Sequence, residues 1–115
     1  MATDFLALEQ DYNRRAQALH KAGGAPLAAF RDLVRAAGSA GVLDHKTKEL
    51  IALAIAIATR CEGCIVFHTR ACLRLKVSRA ELVEMIGVAV EMGGGPASVY
   101  GATALACFDQ MAATG

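Results

Sequence analysis

Three properties of this sequence predict an all-α fold. Alanine is abundant, tryptophan is absent, and proline occurs only at Pro26 and Pro96, a composition suited to helices packed closely through small side chains. Apolar residues recur at spacings of three and four, and helix start and stop residues stand between the apolar stretches. Together these predict a compact bundle of about six helices.

The first helix is expected over about residues 4–21, where Phe5, Leu8, Tyr12, Ala16 and Leu19 form one stripe that Gly23-Gly24 closes. A second, shorter helix runs from Pro26, a residue suited to a first helical turn, through Phe30 and Val34 to Gly38. Asp44 reads as the N-cap of a third helix, which carries Glu49 and the apolar run Leu50–Ala58. The alternation of large and small residues from Ile51 onward would also suit a buried strand. Its four alanines and the charged lead-in His45-Lys-Thr-Lys-Glu49 favour a helix that is apolar on all sides, covered by neighbours or by other subunits. A fourth helix is expected from near Cys61 to about Leu75. Ser78-Arg-Ala-Glu81 is a capping box that opens a fifth, through Leu82, Met85, Ile86 and Val90. Gly93-Gly-Gly-Pro96 then breaks the chain before a final helix from about Ala97 to Met111.

At 115 residues, 55% hydrophobic and 20% charged, the chain is expected to form one domain over residues 1–115 with a real core. Twelve basic residues against eleven acidic give a net charge of +1, with no basic run or aromatic platform to track a phosphate backbone, so no nucleic-acid partner is expected. The longest uninterrupted apolar run is far short of the roughly 20 residues of a membrane span. The first residues mix acids into apolar positions and lack the basic flank of a secretory signal. A cytoplasmic location is therefore expected, and in that reducing compartment the four cysteines suit catalysis, metal binding or plain core packing better than a disulfide framework.

The chemistry concentrates at Cys61-Glu62-Gly63-Cys64, with His68 following and Glu49 twelve residues upstream. On a continuous helix, Cys61, Cys64, His68 and Cys72 would fall within roughly 80° of one another. Small thiols and a histidine can simply line a core face, the reading preferred here for Cys72 and Cys107. A closed zinc site is a second reading of Cys-x2-Cys-x3-His-x3-Cys. A straight helix would spread positions 61 and 72 about 16 Å apart, too far for ligands about 2.3 Å from one ion. The third reading is redox. A cysteine in a first helical turn meets unpaired N–H groups and the positive end of the dipole, which favour thiolate. Two thiols three residues apart can close a disulfide with little backbone movement. His68, one turn beyond Cys64, is placed to take its proton. Glu49 could orient His68 from the preceding helix, or serve only as an acid near its own helix start.

The stretch from Glu49 through Cys61, Cys64 and His68, followed by Val88-Ala-Val-Glu-Met-Gly-Gly-Gly-Pro96, resembles the alkylhydroperoxidase D-like core of the carboxymuconolactone decarboxylase superfamily over about residues 25–112. The resemblance implies an all-α bundle assembled as a homo-oligomer, a trimer or hexamer. It also implies a site of Glu49, Cys61, Cys64 and His68, with Cys64 as the peroxide-attacking thiolate, Cys61 as the resolving thiol, and a proton relay from Cys64 through His68 toward Glu49. The full alkylhydroperoxidase pattern has a histidine immediately before the second cysteine, where this chain has Gly63. That departure bears on peroxide turnover and on a lipoamide-type reductant more than on general disulfide exchange. The decarboxylase branch lacks the cysteine pair, which argues against lactone decarboxylation.

The expected function is thus a thiol-dependent peroxidase or disulfide oxidoreductase, working without a cofactor or metal on a hydroperoxide or disulfide, with a thiol or dithiol as electron donor. The alternative is a non-catalytic redox sensor or metal-binding oligomer. The glycines before Pro96 lack the Lys and Ser/Thr of a phosphate-binding loop and follow a helix, so a tight interhelical turn is the expected reading. Self-association is expected independently, because an all-apolar helix and an alanine-rich C-terminal segment offer more apolar surface than a six-helix monomer hides.

Overall fold

A computed structural model describes residues 2–114 of the chain, and these residues form helices joined by short turns. The helices are α1 (Phe5–Gly23), α2 (Ala25–Gly38), α3 (His45–Ala58), α4 (Glu62–Arg74) and α5 (Arg79–Ala113). None is long and apolar enough to cross a membrane.

Asp4 starts α1 by accepting hydrogen bonds from the N–H groups of Leu6 and Ala7, both at 3.1 Å. Gly24 ends α1 and starts α2 in one residue, at φ +65° and ψ −143°, a conformation that side chains disfavour. Gly23 beside it admits Leu27, whose Cδ2 would lie only 2.4 Å from an added Cβ. The chain can therefore turn between the two helices without a loop. Helix α2 carries no buried residue. Its far end is tied to α3 by Lys48, whose ammonium donates to the carbonyls of Ala37 (3.0 Å) and Ser39 (2.6 Å).

The turns at the two ends of α4 share one backbone design. After α3, Cys61 N–H reaches the carbonyl of Ala56 and Arg60 N–H that of Ile57. After α4, Val77 N–H reaches Cys72 and Lys76 N–H reaches Leu73. This is the Schellman pattern, and its left-handed position is filled by Arg60 (φ 59°) and Lys76 (φ 62°) where glycine is usual. Each turn delivers the chain straight into the next cap, Cys61 for α4 and Ser78 for α5.

Five helices stand where six were expected, and the difference lies at Gly93–Pro96. The helical chain runs through this segment without opening into a loop, and it is interrupted only at Gly94 (φ 70°, ψ −153°). The two arms of α5 nevertheless fold back on each other. Arg79 binds Asp109 through two hydrogen bonds of 2.9 and 3.0 Å, although a straight helix would hold residues 30 apart about 45 Å from one another. Gly101 lets the arms meet, since an added Cβ would lie 2.7 Å from Ile86 Cγ2.

The core forms where these hairpins interlock. Leu53 and Ile57 of α3, Ile65 and Cys72 of α4, and Leu82, Ala104 and Phe108 of α5 are buried together. A second cluster places Phe5 of α1 against Val66, Cys107 and Met111. The apolar run of α3 is helical, as expected, but only Leu53, Ala56 and Ile57 are buried, while Ile51 and Ile55 remain exposed. The surface totals 7240 Å², against about 6,000 Å² for a compact chain of this size. Large apolar side chains face outward on α2 (Phe30, Leu33, Val34), on α3 (Ile51, Ile55) and on α5 (Val83, Val88, Met92, Val99).

Helix α1 is fastened to α4 by the Glu9–Arg70 pair, bidentate at 2.8 and 2.9 Å and only 17% and 25% exposed. The hydrogen bonds from Arg70 hold the Glu9 carboxyl below its ordinary value of 4.5. A depressed carboxyl contributes stability above its unfolded pKa and loses it as pH falls through the folded value. Glu9→Gln is therefore expected to cost about 1–2 kcal/mol at pH 7. Urea unfolding should show the gap between variant and parent closing as the pH is lowered below 4.5.

Candidate functional site

The turn after α3 places Cys61 outside the helical track. It is the N-cap of α4 in an extended conformation (φ −103°, ψ 99°), and its sulfur accepts the N–H of Cys64 at 3.3 Å. The sequence-based picture of four side chains on one helix face is corrected at this point, because only Cys64, His68 and Cys72 follow the helix. Cys61 and Cys64 are joined by a disulfide with Cα atoms 5.2 Å apart. Cys64 is the more exposed of the two, with Cys61 half-buried.

Antiparallel packing of α3 on α4 brings the remaining residues together. Glu49 lies about 13 Å back along α3 from its end and His68 about 10 Å along α4 from its cap, so the two side chains come level. Glu49 Oε2 meets His68 Nδ1 at 2.7 Å, and both are largely shielded, at 14% and 24% exposed. A carboxylate only accepts, so the imidazole donates from Nδ1 and keeps Nε2 as its basic nitrogen. Cys64 and His68 line an open groove of about 270 Å³ with Ala52, Ile55, Ala56 and Thr59 of α3. The wall facing Cys64 and His68 is apolar apart from Thr59, the C-cap of α3, which donates its hydroxyl to the Ile55 carbonyl at 2.8 Å.

Two neighbours escaped the reading of the sequence. His45 Nε2 stands 4.0 Å from Glu49 Oε1, so the carboxylate lies between two imidazoles; the i, i+4 spacing of His45 and Glu49 was the available signal. Tyr12 of α1 donates its hydroxyl to Glu62 Oε1 at 2.8 Å, across a separation that no local pattern reports.

The other two cysteines are of a different kind. Cys72 and Cys107 are free thiols with no exposure. Burial, with a smaller contribution from the Glu49 charge, pushes the Cys72 thiol up to about 12, and burial pushes Cys107 up to about 11. Both are protonated at neutral pH and out of reach of solvent. Among the described residues no three His, Cys, Asp or Glu side chains converge as a metal site.

Comparison with known proteins adds to this geometry. The model of the carboxymuconolactone decarboxylase family matches residues 25–106. An uncharacterized protein of Cupriavidus necator is 40% identical over 111 residues, covering 96% of this chain and 98% of that protein. Uncharacterized protein 4 in the cox locus of Paracoccus denitrificans is 36% identical over 91 residues, covering 79% and 82%. The apo crystal structure of a carboxymuconolactone decarboxylase family protein from Legionella pneumophila superposes with a TM-score of 0.88 at 42% identity, covering 92% of this chain and 95% of that one. A Thermotoga maritima protein of the same family, described as a candidate for involvement in an antioxidative response, gives 0.83 at 26% identity, with 91% and 90% covered.

The contrast among the cysteines gives a direct expectation. With the disulfide intact, iodoacetamide should label no thiol in the native protein and two, Cys72 and Cys107, after unfolding. Mass spectrometry checks the count, and labelling of native Cys72 would contradict its burial.

Proposed function

The chain belongs to the carboxymuconolactone decarboxylase family, and on that premise we propose that it is a thiol-dependent peroxidase or disulfide oxidoreductase of the alkylhydroperoxidase-like kind. The observation that carries the proposal is the disulfide at the start of α4, with Cys64 opening onto the groove that it shares with the Glu49-supported His68.

In the reduced protein the first turn of α4 favours a thiolate at Cys64 through its free N–H groups and dipole, and His68 Nε2 takes the thiol proton. Glu49 stabilises the imidazolium that results. The thiolate attacks one oxygen of a hydroperoxide, so that the S–O bond forms as the O–O bond breaks. The alkoxide takes the proton from His68 and leaves as an alcohol. Cys61 then attacks the Cys64 sulfenic acid, the S–S bond forms, and hydroxide leaves with the Cys61 proton as water. An external thiol or dithiol returns two electrons and two protons to the disulfide. The same dithiol can instead give its two electrons and two protons to a disulfide substrate, releasing two thiols as the Cys61–Cys64 disulfide forms. The apolar groove walls suit an organic hydroperoxide better than a charged oxidant, and the proposed setting is the cytoplasm.

The proposal includes self-association as a trimer or hexamer. The surface in excess of a compact chain, the absence of buried residues on α2 and the exposure of Ile51 and Ile55 beside the groove all support it. Sedimentation should give a species larger than a monomer, and Phe30→Glu with Leu33→Glu on the exposed face of α2 should lower its mass.

Stoichiometric oxidation of the reduced protein with tert-butyl hydroperoxide tests the chemistry. The Cys61–Cys64 disulfide should form rapidly in the parent and fail to form in Cys64→Ser. His68→Ala should slow it by about 10²–10⁴-fold, and Glu49→Gln by less. Disulfide formation no faster than the reaction of an unactivated thiol would overturn the peroxidase reading.

A further inference from the structure

Glu62 and Gly63 separate the two cysteines, and neither takes part in the chemistry above. Both are covered by one side chain from the far end of the sequence. Tyr12 Oη binds Glu62 Oε1 at 2.8 Å. Its ring lies so close over Gly63 that a Cβ there would stand 3.0 Å from Cε1 and 3.1 Å from Cδ1. Arg15 stacks on the same ring, with Cζ 5.0 Å from its centroid. One turn away, the Glu9–Arg70 pair holds α1 down on α4.

Glu62 is the acid in the first turn of α4, so its carboxylate and a cysteine thiolate draw on the same positive helix end and repel one another. Where that carboxylate is held therefore matters to the couple. We propose that Tyr12 is a positioning residue for the Cys61–Cys64 couple: seated on Gly63 and bonded to Glu62, it holds that carboxylate on the α1 side of the turn and thereby favours the thiolate.

The hydrogen bond to Glu62 pushes the Tyr12 phenol above its ordinary pKa of 10.0, which keeps it a donor through the neutral range. The titratable and charged groups near the couple are Arg60, which precedes Cys61 in the chain, Glu49 with His45 and His68, and Glu62 with Tyr12, Arg15 and Asp11. Of these, Tyr12 touches Glu62 and Arg15. Gly63 belongs to the same arrangement, because a Cβ there would press the Tyr12 ring outward by a few tenths of an ångström.

This inference rests on the redox reading only in taking Cys61 and Cys64 as a couple, and equilibrium measurements read it without peroxide turnover. One is the pH profile of iodoacetamide alkylation of the reduced protein. The other is its equilibrium with glutathione, in which the disulfide and two glutathiones give the dithiol and glutathione disulfide. Tyr12→Phe keeps the ring and removes the hydroxyl. It should move the alkylation profile to higher pH and slow alkylation at pH 7 by about threefold. It should also shift the glutathione equilibrium about threefold toward the disulfide, about 14 mV. In a Glu62→Gln background Tyr12→Phe should change neither. Gly63→Ala should shift the profile in the parent and add nothing to Tyr12→Ala. A Tyr12→Phe profile that matches the parent, or a shift that persists with Glu62→Gln, would overturn the proposal. Normal Tyr12 shifts with slow hydroperoxide oxidation would remove the peroxidase reading and leave this one standing. Fast oxidation without the shifts would do the reverse.

Discussion

The reversal between α3 and α4 is the constraint on which the rest of the site depends. It is made by backbone alone, through Cys61 N–H on the Ala56 carbonyl and Arg60 N–H on that of Ile57. Arg60 holds the left-handed conformation at a cost of about 1–2 kcal/mol relative to glycine, and the packing of α3 on α4 offsets it. One tight turn has three results. It makes Cys61 the N-cap of α4, it places Cys64 in the first turn, and it sets the antiparallel register that lets Glu49 reach His68. A turn one residue longer would rotate α4 by about 100° relative to α3 and turn Cys64 and His68 away from the α3 wall.

Position on the same short helix separates reactive from inert sulfur. Cys64 and Cys72 stand eight residues apart on α4, yet one is exposed at the positive end of the helix and the other is fully buried in the core, with its thiol pushed up to about 12. Burial disfavours the thiolate, and the nearby carboxylate adds to that effect. Two of the four cysteines are thus held protonated and away from solvent. Apolar packing suits them there, and Cys107 places its sulfur 3.8 Å from that of Met111.

Much of this was legible in the sequence, and what was legible was local. Asp44 as an N-cap, the Ser78–Glu81 capping box, the turn at Gly23-Gly24 and the reversal at Gly93–Pro96 all depend on residues within a turn of one another. The Cys61, Cys64 and His68 spacing likewise pointed to one end of one helix. What the sequence concealed depends on other elements. Nothing marks Arg60 as left-handed, since the pattern there usually asks for glycine, and so the extended cap position of Cys61 could not be read. The helix count differed because Gly94 bends the chain at a single residue, where four punctuating residues in a row suggested a loop. Tyr12 looked like one more member of an apolar stripe, and its part became visible only with α1 laid across α4.

The attachment of α1 depends on residues far along the chain. Helices α3, α4 and α5 are joined by tight turns and build the main core among themselves. Helix α1 must instead find partners far along the chain. Glu9 waits for Arg70, and the Phe5 N–H waits for the Gln110 side chain, 105 residues away. The seat of α1 is thus set by residues at positions 70 and 110, not by its neighbours in the chain. A lesion at either of these two distant anchors would therefore loosen Tyr12 from Glu62 and Gly63 while leaving the Cys61–Cys64 turn, made by α3 and α4 alone, in place.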